Sequence, residues 1–345
     1  MAKTGVILFN IGTPKSYEVE DVKSYLLDFL MDKDVINLPF VLRYPLVHGL
    51  IVPKRAPNSA ENYKKVWMEE GSPLWVYSKH FADKLQNELG SEFVVKMGMR
   101  YSAPRIEDSL KELAEAKVDS ILLVPMFPQY AEATTGSVLK EFERVRKKYG
   151  VQIPTKTLRD FYADPSFITP SVEILDETLK NKKIDHYLFS FHGLPESHIR
   201  KNEGCLRSED CCFEKSACDK PCYRAQCFAT ATKIAESLNL APSHWSVSFQ
   251  SRLGRAEWLK PATDHTLEVL AKTGKKNVAV ICPSFVADCI ETLEEIAIGG
   301  QETFKHAGGE GFYMIPCVNE NNSWVTGFAS LLKAQVKESE TVTAE

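Results

Sequence analysis

Apolar residues follow two alternating patterns along this chain. Short unbroken runs of Val, Ile, Leu and Phe predict strands at Val6–Ile11, Phe93–Met97, Ile121–Met126, His186–Phe191, Trp245–Phe249, Val278–Cys282 and Phe312–Cys317. Between them, apolar positions three and four apart predict helices at Val19–Met31, Lys79–Leu89, Ala103–Ala116, Ser137–Lys148, Phe167–Leu179, Tyr223–Leu238, Pro261–Lys272, Asp288–Ile298 and Asn322–Val336. Strands without polar alternation are buried on both faces. Strand, helix, strand at this cadence predicts an α/β fold of parallel sheets flanked by helices.

The two halves echo one another. Val6-Ile-Leu-Phe-Asn-Ile-Gly-Thr-Pro14 is similar to Tyr187-Leu-Phe-Ser-Phe-His-Gly-Leu-Pro195, and Ile121–Phe127 is similar to Val278–Phe285. This predicts two Rossmann-like domains related by pseudo-twofold duplication, at 1–155 and 156–316, with a C-terminal helix and tail at 317–345 packing back on the first domain. Ile11 then stands in the first half where His192 stands in the second, and a ligand is expected in a cleft between the domains.

Composition narrows the function by exclusion. The 345 residues carry a formal charge of −4 with no basic stripe, which argues against nucleic acid as a partner. No Gly-x-Gly-x-x-Gly or Walker-type loop follows a strand, so a nucleotide-dependent oxidoreductase is a distant reading. Met1-Ala-Lys-Thr-Gly-Val leads straight into the first strand, which argues against a signal peptide, and no run is long enough to span a bilayer. A cytoplasmic protein is expected, either soluble or peripheral on the inner face of the cytoplasmic membrane.

Two features carry chemistry. His192 ends an apolar strand and opens into Gly193-Leu-Pro195, which places a neutral-pH proton acceptor at the carboxyl end of a parallel sheet. On the helix predicted at Asp288–Ile298, a turn of about 100° per residue puts Asp288, Glu291 and Glu295 on one stripe opposite Ile290, Leu293 and Ala297. Both begin at carboxyl ends of strands in the same half. An imidazole facing carboxylates can accept protons and carry a divalent cation, which suits a reaction that exchanges protons for a metal ion.

Two further segments stand out. Leu38–Pro53, within an apolar lip at 30–57, is too short and proline-broken to span a membrane and runs into Lys54 and Arg55. It reads as a lid that dips into a membrane interface, its cations meeting ligand carboxylates or lipid phosphates. Six of the nine cysteines crowd positions 205–227 without any Cys-x2-Cys pair. In a reducing compartment this favours metal or iron–sulfur ligation over disulfides.

With these motifs the chain resembles ferrochelatase, a family that inserts Fe²⁺ into a porphyrin in the last step of haem synthesis. The resemblance spans nearly the whole chain. It rests on Ser190-Phe-His-Gly-Leu-Pro195 and Asp288-Cys-Ile-Glu-Thr-Leu-Glu-Glu295, with Asn10-Ile-Gly-Thr-Pro14, Gly98-Met-Arg-Tyr101, Pro125–Tyr130, Thr134–Ser137 and Phe249–Gly254 followed by Glu257-Trp258-Leu-Lys-Pro. It implies a chelatase-like fold, His192 as catalytic base and Glu291 opposite it, both handling the Fe²⁺ substrate. Asp288 and Glu295 would relay protons or metal, and Ile11, Arg55, Arg100, Tyr101, Tyr130 and Trp258 would line the porphyrin site. An aliphatic Ile11 cannot ligate iron, so metal access past it is not expected, and Cys289 stands where some members carry histidine.

Certain bacterial members bind a [2Fe–2S] cluster through an insert after the histidine motif. The expected ligands here are Cys205, Cys212, Cys218 and Cys222, with Cys211 and Cys227 as alternates. Protoporphyrin IX is the expected substrate, given the apolar lip, and haem the product. Coproporphyrin III remains an alternative, as does a non-catalytic porphyrin carrier or redox sensor on the same fold. Oligomeric state is open, and a homodimer is admitted.

Overall fold

The computed structural model describes residues 2–201, 205–206, 211–212, 222–252, 254 and 256–342. Among these residues eight strands form two four-stranded parallel sheets. The first contains β1 (Thr4–Asn10), β2 (Phe93–Met99), β3 (Ser120–Pro125) and β4 (Thr155–Thr157) in the order β2-β1-β3-β4. The second contains β5 (His186–His192), β6 (Trp245–Gln250), β7 (Asn277–Ile281) and β8 (Gly311–Met314) in the order β6-β5-β7-β8. The two orders are the same permutation, as the internal echo implies. Val6 pairs with Val95 and Leu122, and Leu188 pairs with Ser246 and Val280. Every residue of β1 is buried, which explains its unbroken apolar run.

The chain divides into two compact units. One comprises Met1–Met126, Glu132–Arg159 and Phe328–Glu345, the other Phe127–Ala131 and Asp160–Gly327. The last helix, Asn322–Val342, contributes to both. In the second unit Trp324 packs edge-on against Phe167 and at a tilt against Phe161. In the first, Phe328 meets Phe81, and Lys333 donates to the Glu88 carbonyl at 3.0 Å.

Local chemistry sets the helix starts. Ser72 accepts the Trp75 N–H at 3.3 Å with Pro73 at the first turn, so the helix expected from Lys79 begins at Pro73. Asp164 caps Pro165–Leu179 in the same way. Two expectations need larger correction. The lip is not broken by its prolines: Phe40–Leu46, a π-helical turn Val47–Ile51 and Val52–Val66 follow one another as helix. The wide turn lies between Pro45 and Pro53, where the Val52 N–H reaches back to the Val47 carbonyl. The acidic element is not an α-helix over Asp288–Ile298 but a π-helix over Glu291–Gly300, and Asp288 lies before it.

One buried group in the second core makes stability depend on pH. His186 opens β5, bonds Ser246 Oγ through Nε2 at 2.8 Å, and leaves Nδ1 buried without a partner. Burial, aided by Lys275 and His244, pushes its pKa down to about 4. The unfolded chain binds the proton more readily, so stability falls as pH drops from about 6.5 toward 4 and is fully present above that window. The difference in unfolding free energy between the wild type and His186→Gln is expected to change by roughly 1–3 kcal/mol from pH 7 to pH 4. Parallel urea titrations check this, and superimposable pH profiles would dismiss it.

Candidate active site

His192 is the last residue of β5 and pairs with Gln250, the last of β6. In this strand order β5 lies between β6 and β7, so the connections after it leave in opposite directions. That is the crevice position at which open α/β sheets bind ligands. Three strand exits and the π-helix build the site there. The Gly193 N–H donates to the Gln250 carbonyl at 2.6 Å, which folds the chain back at the rim. A Cβ on Gly193 would come within 2.8 Å of that carbonyl and 3.3 Å of the Trp258 ring, so glycine is required for the close approach. Trp258 is set beside it by an antiparallel bridge to Pro195.

The imidazole has a defined polarity. His192 Nδ1 lies 2.7 Å from the Gly193 carbonyl, which can only accept, so Nδ1 carries a hydrogen and, in the neutral ring, Nε2 carries the lone pair. The Phe285 ring from the β7 exit meets the imidazole edge-on, with centroids 6.3 Å apart. Glu291 and Glu295 project from the π-helix close enough for both Glu291 and His192 to bias the Glu295 carboxyl. Burial raises the Glu295 pKa, and repulsion from Glu291 adds to it, while Ser251 and His192 pull the other way. Glu295 is tied to the β6 exit, accepting from Ser251 N at 2.7 Å, from the Ser251 hydroxyl and from Gln250 Nε2 at 3.3 Å. Ser251 holds the left-handed conformation, with φ of 59°, to present both donors.

Asp288 is placed differently from the open stripe it was expected to begin. It is buried, and its carboxylate accepts from Thr292 Oγ1 at 2.9 Å, Asn319 Nδ2 at 2.8 Å and the Cys317 N–H. Those bonds fix the approach to the π-helix and leave its oxygens occupied. The neighbouring Cys289 thiol is buried and hydrogen-bonds Glu291.

Tyr130 belongs with this end of the second unit. Its N–H donates to Gln226 Oε1 at 2.6 Å, while Gln129 donates to Thr230 Oγ1 and to the Pro283 carbonyl at the β7 exit. The remaining expected residues lie in the first unit. The Arg100 and Tyr101 N–H groups donate to the Asn10 and Ile11 carbonyls just beyond β1. The Arg100 guanidinium bonds Asp32 at 2.6 Å and Ser137 at 3.1 Å, and the Tyr101 hydroxyl donates to Asp32 at 2.8 Å. Burial opposes ionisation of Asp32, but the Asp34 N–H, Tyr101, Arg100 and Ser137 hold its carboxyl below the usual range. Asp32 escaped the sequence reading because nothing local marks it. Arg55 is exposed on Val52–Val66, beside the lip, where Phe40, Val41 and Leu42 are 61%, 74% and 58% exposed. No helix among the described residues is long and apolar enough to cross a membrane.

The cysteine segment is described in part, and Cys218 lies outside the described residues. The Cys222 sulfur has Cys212 and Cys205 as neighbours. Its hydrogen bond with Cys212 lowers the Cys222 pKa to about 6, and the same bond raises that of Cys212, so Cys212 holds the shared proton. Arg224 donates to Cys212 Sγ at 3.1 Å and approaches Cys211 Sγ at 4.0 Å. Cys227 is fully buried and bonds Tyr223 instead. Among the described residues no three His, Cys, Asp or Glu side chains are grouped to hold a single metal ion.

The family model described as Ferrochelatase matches residues 3–336. A protein named Ferrochelatase from Bdellovibrio bacteriovorus is 69% identical over 334 residues, covering 97% of this chain and all of that one. One of the same name from Coxiella burnetii is 43% identical over 339 residues, covering 97% of this chain and 94% of the relative. Among solved structures, SirB from Bacillus subtilis with Fe³⁺ superposes with a TM-score of 0.58 at 10% identity, covering 98% of each chain, a likeness of fold.

Proposed function

The chain belongs to the ferrochelatase family and is an enzyme of iron insertion into porphyrin, and on that premise we propose that it makes protohaem from protoporphyrin IX with His192 as the proton acceptor. The observation that carries this reading is the convergence of His192, Glu291 and Glu295 at one sheet end, with Nδ1 bonded to the Gly193 carbonyl so that Nε2 is the ring nitrogen left to take a proton. Fe²⁺ enters a tetrapyrrole only after two N–H protons leave. His192 takes a pyrrole proton through Nε2. Nitrogen and carboxylate donors from His192 and Glu291 suit the incoming Fe²⁺ substrate. Glu295, whose carboxyl holds a proton more readily than usual, passes protons on toward the β6 exit. Asp288 serves this reading by fixing the start of the π-helix rather than as a relay.

In the second unit Trp258 and Tyr130 supply aromatic surface, and in the first Ile11 supplies an aliphatic one, residue types suited to a flat macrocycle. Arg100 and Tyr101 support the end of β1 through Asp32. Arg55 supplies an exposed cation for propionates, and the apolar lip beside it favours a peripheral position on an anionic membrane surface. A carrier or sensor would need no free imidazole lone pair beside a row of carboxylates.

The cysteines extend the proposal to a [2Fe–2S] cluster. What supports it is that Cys222 has hydrogen-bonding neighbours in Cys212 and Cys205, and that Arg224 offers an N–H to Cys212 Sγ. Cys218 completes the proposed set. Such a cluster supplies one-electron redox chemistry and a structural tie, and no proton step here depends on it.

The test is anaerobic Fe²⁺ insertion, followed by absorbance, with protoporphyrin IX and coproporphyrin III offered separately. Protoporphyrin is expected to be metallated about tenfold or more faster in kcat/KM, roughly 1.4 kcal/mol of discrimination. Preference for coproporphyrin would move the assignment to that substrate. Tight binding of both with no metallation would favour the carrier.

A further inference from the structure

The β5–β7 ladder ends at Phe189 and Ile281, three residues before His192. Beyond it, no β7 residue pairs with His192, and buried main-chain groups need a partner. Two hydroxyls fill the gap. The His192 N–H donates to Ser284 Oγ at 3.0 Å, and the Tyr223 hydroxyl donates to the His192 carbonyl at 2.8 Å. The two hydroxyls are 3.2 Å apart. Since Ser284 Oγ accepts from His192 and Tyr223 spends its proton on the carbonyl, Ser284 donates to Tyr223. The bonds therefore run in one direction, from His192 N–H through Ser284 and Tyr223 back to the His192 carbonyl. A closed directed circuit of this kind polarises each of its members.

We propose that Tyr223 is a positioning residue for the reaction, clamping the main chain of His192 so that Nε2 stays aimed at the substrate. Tyr223 is buried at the first turn of helix Tyr223–Ser237 and touches neither carboxylate of the site, so its effect on chemistry runs through His192. It also follows Cys222 directly, which links the cysteine segment to the position of the base. The inference rests on the reading of His192 as proton acceptor.

The experiment compares Tyr223→Phe with His192→Ala and the wild type in anaerobic Fe²⁺ insertion into protoporphyrin IX. Tyr223→Phe keeps the ring and removes only the donor. Its kcat is expected to fall about three- to tenfold, the worth of one net hydrogen bond, with the porphyrin KM within about twofold. Unchanged kcat in Tyr223→Phe, with His192→Ala inactive, overturns the positioning role alone. Full activity in His192→Ala overturns the reading of the base itself. Equal losses in kcat and porphyrin binding also overturn the proposal, because they mark a general structural defect. Should Tyr223→Phe not fold, Ser284→Ala opens the same circuit at its other member. The same loss confined to kcat is expected there, and its absence overturns the proposal.

Discussion

Replacement of His192 by alanine is expected to lower kcat for Fe²⁺ insertion by about 10²–10⁴-fold, the usual worth of a positioned acid–base group. Porphyrin binding, read by quenching of porphyrin fluorescence, is expected to stay within about threefold. The separation follows from how the residue is held. Ser284 and Tyr223 bond its main chain, and the following glycine bonds the Gln250 carbonyl, so alanine keeps these main-chain contacts of the rim. Only the imidazole leaves. Glu291 and Glu295 remain, but neither offers an imidazole nitrogen lone pair. Retained kcat in this variant would remove His192 from the chemistry.

Much of this architecture was visible in the order of residues, and the exceptions share a cause. Parallel strands covered on both faces leave unbroken apolar runs, so β1 and β5 were read to within a residue or two. β4 has the polar sequence Thr155-Lys-Thr157 and only one neighbouring strand, so it left no such mark. The π-helix was read as an α-helix because Ile290, Leu293 and Ala297 also satisfy the ordinary helical period. Its position is set instead by contacts remote in sequence: Asp288 clasped by Asn319, and Gly300 packed against Leu267 and Phe312. In the lip, prolines read as breaks are tolerated because a wider turn absorbs the lost hydrogen bonds.

The site divides along the same line. The placement of His192, Glu291 and Glu295 at one sheet end was legible because strand ends and acidic stripes are local patterns. Their supports were not. Ser284 and Tyr223 are single hydroxyls far from His192 in sequence, and only the β6-β5-β7 order brings them to its main chain. Gln250 and Ser251 lay inside a recognised segment, yet nothing local showed that they would hold Glu295. Chemistry-bearing side chains announce themselves by type, whereas the groups that aim them are found only through the fold.

Cys222→Ser is expected to abolish the sulfide-to-iron charge-transfer absorbance of anaerobically purified protein, while Cys211→Ala and Cys227→Ala keep it. The argument is one of placement. Cys222 has Cys205 and Cys212 as hydrogen-bonding neighbours, and serine cannot replace a soft thiolate toward iron. Cys212 carries the Arg224 hydrogen bond at 3.1 Å, against 4.0 Å for Cys211. Cys227 lies inside its helix and bonds Tyr223. The loss reaches beyond the chromophore, because a bound metal centre is folding energy for the segment that ligates it. Cys222 precedes the first turn of Tyr223–Ser237, so freeing it loosens the turn that carries Tyr223. Cys222→Ser is therefore expected to show, besides bleaching, a drop in kcat at least as large as that of Tyr223→Phe. A fully coloured Cys222→Ser protein, or a colourless wild type, would remove the cluster from this segment. Bleaching with unchanged kcat would separate the cluster from the base.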